Sequence, residues 1–228
     1  MSKNKKNEDS SRGVAGLFLV FGWLVFILLA LLFFFYFKDD LKLPDFLKFG
    51  KESEATTEAE VAQGSTLTYQ TNANLDINSL IIEYYTALAI CDQSKLQAIV
   101  TDPTQFDDMS PYEKIALKIT NYTNINCYTL NGLDENGTVC YATCNLSIKD
   151  VTSTPLNISR FYIVKQADGT YKIDNQTPSA ELSSYMDGTC DANADIQALY
   201  KSVNDNIESC VNGDPSFKSF YDEYISGQ

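Results

Sequence analysis

The stretch that decides the fold runs from residue 121 to residue 148, NYTNINCYTLNGLDENGTVCYATCNLSI. Here the spacing of apolar side chains changes to a period of two, the mark of β-structure. Tyr122 to Leu130 reads as one strand, Asn131 to Asn136 as a turn, and Thr138 to Ile148 as the returning strand of a hairpin. In the second strand Cys140, Ala142, Cys144, Leu146 and Ile148 share one face, expected to point to the core. Thr143, Asn145 and Ser147 fall on the other, expected to point outward. A third strand is expected over Leu156 to Lys165 and a fourth over Tyr171 to Ile173. The two are joined through Asp168-Gly169, a hairpin signal.

Helices bracket these strands. Upstream, Ile77, Leu80, Ile81, Tyr84, Tyr85 and Leu88 recur at helical spacing, with Asp76 available as an N-terminal cap. A shorter helix follows from Ser94 to Val100. Ser110-Pro111-Tyr112-Glu113 then carries a capping box with proline in the first turn, starting a helix expected to reach Ile119. Downstream, Ile196, Leu199, Tyr200, Val203 and Ile207 form one stripe, and Asp214-Pro215 opens a last helix with Phe217, Phe220, Tyr221 and Tyr224 inward. The order predicts an α+β domain of about four antiparallel strands with helices packed on the sheet.

The N-terminal part obeys different rules. Of the 24 residues from Val14 to Phe37, 22 are hydrophobic and two are glycine, and none is charged. Such a segment is about 36 Å long as a helix and crosses a hydrocarbon core of about 30 Å with some tilt. A cleaved signal peptide would have a shorter apolar run ending in a small-residue site, so the segment is read as an uncleaved signal anchor. Lys3, Lys5, Lys6 and Arg12 precede it. Beyond residue 37 the chain holds 13 basic against 28 acidic side chains, and all six cysteines. The sequence therefore predicts a single-pass protein of the cell membrane, with residues 1–13 in the cytoplasm, residues 14–37 spanning the bilayer, and the remainder outside, where disulfides persist. Residues 38–74 read as a juxtamembrane segment and a flexible acidic stalk. Residues 75–176 are the domain and 177–228 a C-terminal helical extension.

Composition removes several function classes. The chain has 228 residues and no histidine, which excludes Ser-His-Asp and Cys-His catalysis and HExxH zinc sites. A net charge of -13 argues against nucleic acid as a partner. No glycine-rich phosphate loop or other cofactor motif is present, so no cofactor is expected. Cys140 and Cys144, four apart on one strand, are a poor match to structural zinc spacing. Asp191, Asn193 and Asp195 copy the start of a calcium loop. Ile196 and Ser202 occupy the positions that need Gly and a closing Glu, so these residues are read as a helix cap with favourable charge, and no metal site is assigned.

Two constellations remain. If the 131–136 turn is symmetric about residues 133 and 134, Cys127 falls opposite Cys140, making them the disulfide candidate; buried thiols behaving as small hydrophobes are the alternative. Arg160, the one arginine beyond the apolar segment, shares strand parity with Tyr162. The two could hold an anionic ligand if that face lines a cavity. Otherwise Arg160 is a rim residue whose stem packs on the sheet. No catalytic residue is assigned. Five Asn-x-Ser/Thr sequons occur, at Asn121, Asn136, Asn145, Asn157 and Asn175.

Leu75-DINSLIIEYYTALAICDQSKL-Gln97, together with NINCYTLNG and FYIVKQADGTYKI, resembles nuclear-transport-factor-2-like domains. More narrowly it is similar to membrane-anchored extracytoplasmic members from Gram-positive bacteria. The resemblance covers about residues 75 to 174. It implies a cone-like half-barrel whose curved sheet wraps a long helix and leaves a cavity. Enzymes of the superfamily place Asp, His and Tyr in that cavity, and other members are binding or dimerisation modules. The lack of histidine favours a non-catalytic binding or protein-interaction module, with an envelope protein or small ligand as partner. A dehydratase or isomerase, or a structural spacer in an envelope complex, are the alternatives.

Overall fold

The computed structural model describes residues 68–225. The expected cytoplasmic tail, membrane span and most of the stalk lie outside the described residues. Among the described residues no helix is long and apolar enough to cross a membrane.

The chain enters through a short strand β1 (Gln70–Thr71) and then α1 (Leu75–Ala89) and α2 (Gln93–Ile99). A 3-10 turn (Pro103–Phe106) leads to α3 (Ser110–Ala116). Strands β2 (Ile119–Asn131), β3 (Gly137–Ile148), β4 (Leu156–Lys165) and β5 (Tyr171–Asp174) follow. The chain closes with α4 (Ala180–Tyr185), a wide turn (Met186–Cys190), α5 (Ala194–Gly213) and α6 (Pro215–Tyr224). The sheet is an antiparallel meander in sequence order, β1-β2-β3-β4-β5. It has five strands rather than four, because Gln70 and Thr71, within the expected stalk, pair with Thr129 and Tyr128.

Caps differ from the sequence reading in two places. Asn74, not Asp76, caps α1, its side-chain oxygen accepting from the amides of Asp76 and Ile77 at 3.1 Å each; Asn ranks with Asp at this position. Ser110 lies inside α3 instead of capping it. Asp108 accepts from its amide and hydroxyl, so the capping box does not form. The helix also ends at Ala116, earlier than expected, where β2 takes over.

One face of the sheet is covered by α1, whose Ile77, Leu80, Ile81, Tyr84, Tyr85 and Leu88 are buried as the periodicity predicts. Each fully buried aliphatic side chain of this kind contributes about 1.5–3 kcal/mol. Tyr84 meets Phe161 of β4 edge-on at 5.3 Å and Tyr85 meets Tyr122 of β2 at 5.0 Å. The opposite face of β3 is covered too, since Tyr141 packs against Tyr200 of α5. Val139, Tyr141 and Thr143 are therefore buried along with Cys140, Ala142 and Cys144. This corrects the outward placement of Thr143, while Asn145 and Ser147 are half-buried.

The hairpin closes one residue later than expected. The Gly132 amide donates to the Gly137 carbonyl at 2.9 Å, and the Asp134 side chain accepts from the Asn136 amide. The loop is therefore centred between Asp134 and Glu135, and Cys127 lies opposite Ala142 while Cys140 lies opposite Thr129. The two cysteines are diagonal neighbours on the α1 face rather than a facing pair.

Candidate functional site

Arg160 projects from β4 on the face away from α1, directly across from Tyr141 of β3. Over it lies the segment that joins α4 to α5. Ser179 caps α4 through the Leu182 amide, and the helix then widens by one residue, the Asp191 amide bonding to the Met186 carbonyl at 2.9 Å. Such π-type turns are frequent at functional sites. Here the turn carries Asp187 and Asp191 to the same guanidinium.

Arg160 Nη1 donates to Asp187 Oδ1 at 2.9 Å and to Asp191 Oδ2. Asp191 Oδ1 accepts from the Tyr141 hydroxyl at 2.5 Å, and the Asp191 backbone carbonyl accepts from Gln197 Nε2 at 2.5 Å. Both carboxylate oxygens of Asp191 are thus engaged. Burial raises the Asp191 carboxyl pKa, and Tyr141 and Arg160 offset this only in part. At Arg160 burial opposes the charge, but Asp191, Asp187 and Tyr141 outweigh it and its pKa stands above the ordinary value. Tyr200 is pushed up to about 12 by burial and then by the Asp191 charge. Asp187 is the outer partner, its side chain 62% exposed against 28% for Asp191.

Tyr162 lies two residues further along the same face, yet its hydroxyl serves another purpose. It accepts from the backbone amides of Leu133 and Asp134 and sits over Gly137, where an added Cβ would lie 1.9 Å from it. The Arg160 guanidinium and the Tyr162 hydroxyl therefore address different partners. Tyr185, donating to the Asn131 carbonyl at 2.9 Å, ties α4 to the mouth of the same hairpin.

The six cysteines are free thiols. The Cys140 thiol hydrogen-bonds to Cys127, lowering the Cys127 pKa and raising its own. Among the described residues no cluster of His, Cys, Asp or Glu could hold a metal ion. Asn193 caps α5, accepting from the amides of Asp195 and Ile196, whereas Asp191 turns away to Tyr141 and Arg160. The cap reading thus holds for Asn193, with Asp195 in the first turn, and not for Asp191.

Sequence reasoning missed Asp187, Asp191 and Tyr141 as partners of Arg160. One signal was available. A lone arginine in a strongly acidic domain, on a mostly apolar strand, calls for a carboxylate partner. Which carboxylate it meets was not encoded in any local pattern.

No family model, curated protein or solved structure matches this chain.

Proposed function

We propose that the chain is a membrane-tethered, extracytoplasmic binding or protein-interaction module without catalytic activity. In this reading residues 14–37 span the cell membrane, residues 38–67 hold the domain away from it, and the antiparallel sheet curves around α1 as a cone of the nuclear-transport-factor-2-like type. The carrying observation is the uncharged 24-residue apolar run followed by an acidic, cysteine-bearing remainder.

The domain's chemistry supports binding over turnover. A carboxylate acting as a general base needs an oxygen open to substrate, and both oxygens of Asp191 are held by Tyr141 and Arg160. An anion reaching Arg160 meets a guanidinium already neutralised at Nη1 by two carboxylates, of which Asp187 is the more exposed. The surface offers uncharged contact area: Leu75 and Ile82, two turns apart on α1, are 74% and 48% exposed, and Ile90, just past its end, is 65% exposed. Between them Ser79 and Thr86 turn their hydroxyls back to the carbonyls of Leu75 and Ile82.

A dehydratase or isomerase is the second reading, favoured by one feature, a half-buried Asp191 facing Tyr141 at 2.5 Å. A structural spacer in an envelope complex would need neither feature.

The test is labelling of intact cells with a membrane-impermeant maleimide. Cys91 and Cys210, both partly exposed, should react from outside. Labelling that requires cell lysis refutes the extracytoplasmic placement. The Cys127–Cys140 disulfide belongs to the same proposal, since an oxidising exterior would join two thiols already in contact.

A further inference from the structure

The charge of this acidic chain is distributed unevenly. Of all its residues 21% are charged, yet β1, β2 and β3 contain none. A buried strand needs no charge, but part of this sheet faces solvent. Opposite residues of an antiparallel pair share a face. Asn126 and Tyr128, which pair with Thr143 and Tyr141, therefore lie on the side that α5 covers through Tyr200 over β3 and Asn206 over β4. Over β1 and β2 that side stays open: Thr71 is exposed, and Tyr69, Asn126 and Tyr128 are half-buried.

Two kinds of group meet there. Tyr69 meets the Tyr128 ring edge-on at 5.2 Å, forming an aromatic corner from side chains that lose little entropy on contact. Beside it runs a relay of asparagine amides. Asn72 Nδ2 donates to Asn126 Oδ1 at 3.0 Å, Asn126 Nδ2 to the Asn124 carbonyl at 2.9 Å, and Asn124 Nδ2 to Asn145 Oδ1 at 3.1 Å. Asn72 Oδ1 accepts from the Cys127 amide, which ties the relay to the sheet. A primary amide has two N–H donors and an oxygen with two lone pairs. The relay uses one donor of each amide and orients its plane. Asn72 and Asn124 are exposed, so their second N–H groups face solvent or a ligand.

These features select among partners. An ionic partner finds no counter-charge on the three strands. A peptide adding as a strand meets bulges in β2 between Ile119 and Asn121 and between Thr123 and Asn126, which break the regular edge. A folded protein partner calls for an apolar centre, whereas here the apolar surface is that of two tyrosine rings set among amides and hydroxyls. A sugar chain fits all three conditions. It is neutral, its ring C–H bonds rest on the electron-rich face of an aromatic ring, and its hydroxyls pair with planar amides that donate and accept side by side.

We infer that the open face of β1 and β2 binds a neutral oligosaccharide of the cell surface. Tyr69 and Tyr128 form its aromatic wall, and Asn72, Asn124 and Asn126 its hydrogen-bonding groups. The inference rests on the reading of the chain as a binding module and names its ligand class.

The test uses the full chain in a detergent without sugar head groups, since a glucoside or maltoside would compete. Chitohexaose and cellohexaose are titrated by calorimetry and by saturation-transfer NMR, and at least one should bind. Tyr128→Ala and Asn126→Ala should each weaken that binding about tenfold. Thr71→Glu changes an exposed position, where substitution hardly affects folding, and should weaken it by placing a charge on the face. Lys201→Ala, 74% exposed on α5, should leave it unchanged. Circular dichroism verifies that each variant is folded. No binding of either sugar at about 1 mM, or binding that the three face variants leave unaltered, overturns the inference. Capture of an envelope protein on this face with no sugar binding overturns it too. The maleimide labelling of intact cells involves no sugar, so a failure here is distinct from a failure of the extracytoplasmic placement.

Discussion

Replacing Arg160 with Met keeps the stem that packs on β4 and removes the charge that pins the Asp187–Asp191 turn to the sheet. The pair with Asp187 is of the exposed kind, at about 0.2–1 kcal/mol. The pair with Asp191 is partly buried on both sides, with side chains 26% and 28% exposed. Removing one partner of a fully buried pair costs about 3–5 kcal/mol, and solvent access reduces that here to about 1–2. The variant should therefore lose about 2 kcal/mol near neutral pH, or about 4–8 °C in Tm for a domain of this size. The pH dependence separates electrostatics from packing. The Asp191 pKa is already raised by burial, and losing Arg160 removes an influence that lowers it. A carboxyl with a raised folded-state pKa contributes stability that is present below its ordinary value and lost as pH rises through the folded value. The deficit of Arg160→Met should thus be largest near neutral pH and shrink in acid, as Asp191 takes up a proton. Urea denaturation of the wild type, Arg160→Met, Asp191→Asn and the double variant at neutral and acid pH measures this. A deficit independent of pH, or a coupling below about 0.5 kcal/mol in the double-mutant cycle, refutes the clamp.

Asp214 caps α6 through the amides of Ser216 and Phe217 and also accepts from the amides of Thr152 and Ser153, with its pKa depressed by Ser216 first and Ser153 next. Its contribution is present above the ordinary carboxylate pKa and lost as pH falls through the depressed value, so Asp214→Ala should lower Tm at neutral pH and converge with the wild type in strong acid. An equal gap at both extremes counts against it. Gly137→Ala drives a methyl into Tyr162 and should cost about 1–3 kcal/mol in urea unfolding; a change below about 0.5 kcal/mol would mean the ring moves freely. Timed alkylation of the native chain should modify Cys91 and Cys210 before Cys144, whose thiol is buried and pushed up to about 12. Early loss of the Cys144 thiol contradicts that environment. Peptide mapping of chain recovered from the membrane without reductant should join Cys127 to Cys140, and separate alkylation of both refutes the proposed pairing.

Most elements of the domain were legible because their signals are local. The stripe from Ile77 to Leu88, the ten residues of β4 and the Asp214-Pro215 start of α6 each follow from spacing within a few residues. β1 was not legible, since Gln70 and Thr71 are polar and exposed and become a strand only because β2 offers them an edge. α4 and its wide turn escaped for a related reason: Leu182, Met186 and Cys190 are buried at a spacing of four, too short a run to stand out.

By itself the sequence determined an α+β domain with one dominant helical stripe and a meander of strands behind an apolar N-terminal segment, because side-chain period and turn residues act over short distances. Only the tertiary structure decided which side chains meet. A one-residue change in where the β2–β3 loop closes moved Cys127 from Cys140 to Ala142. The laying of α5 across the sheet buried both faces of β3 and brought Asp187 and Asp191, 27 and 31 residues downstream, onto Arg160. Those pairings depend on how distant segments pack, and a pattern read along the chain contains no term for that distance.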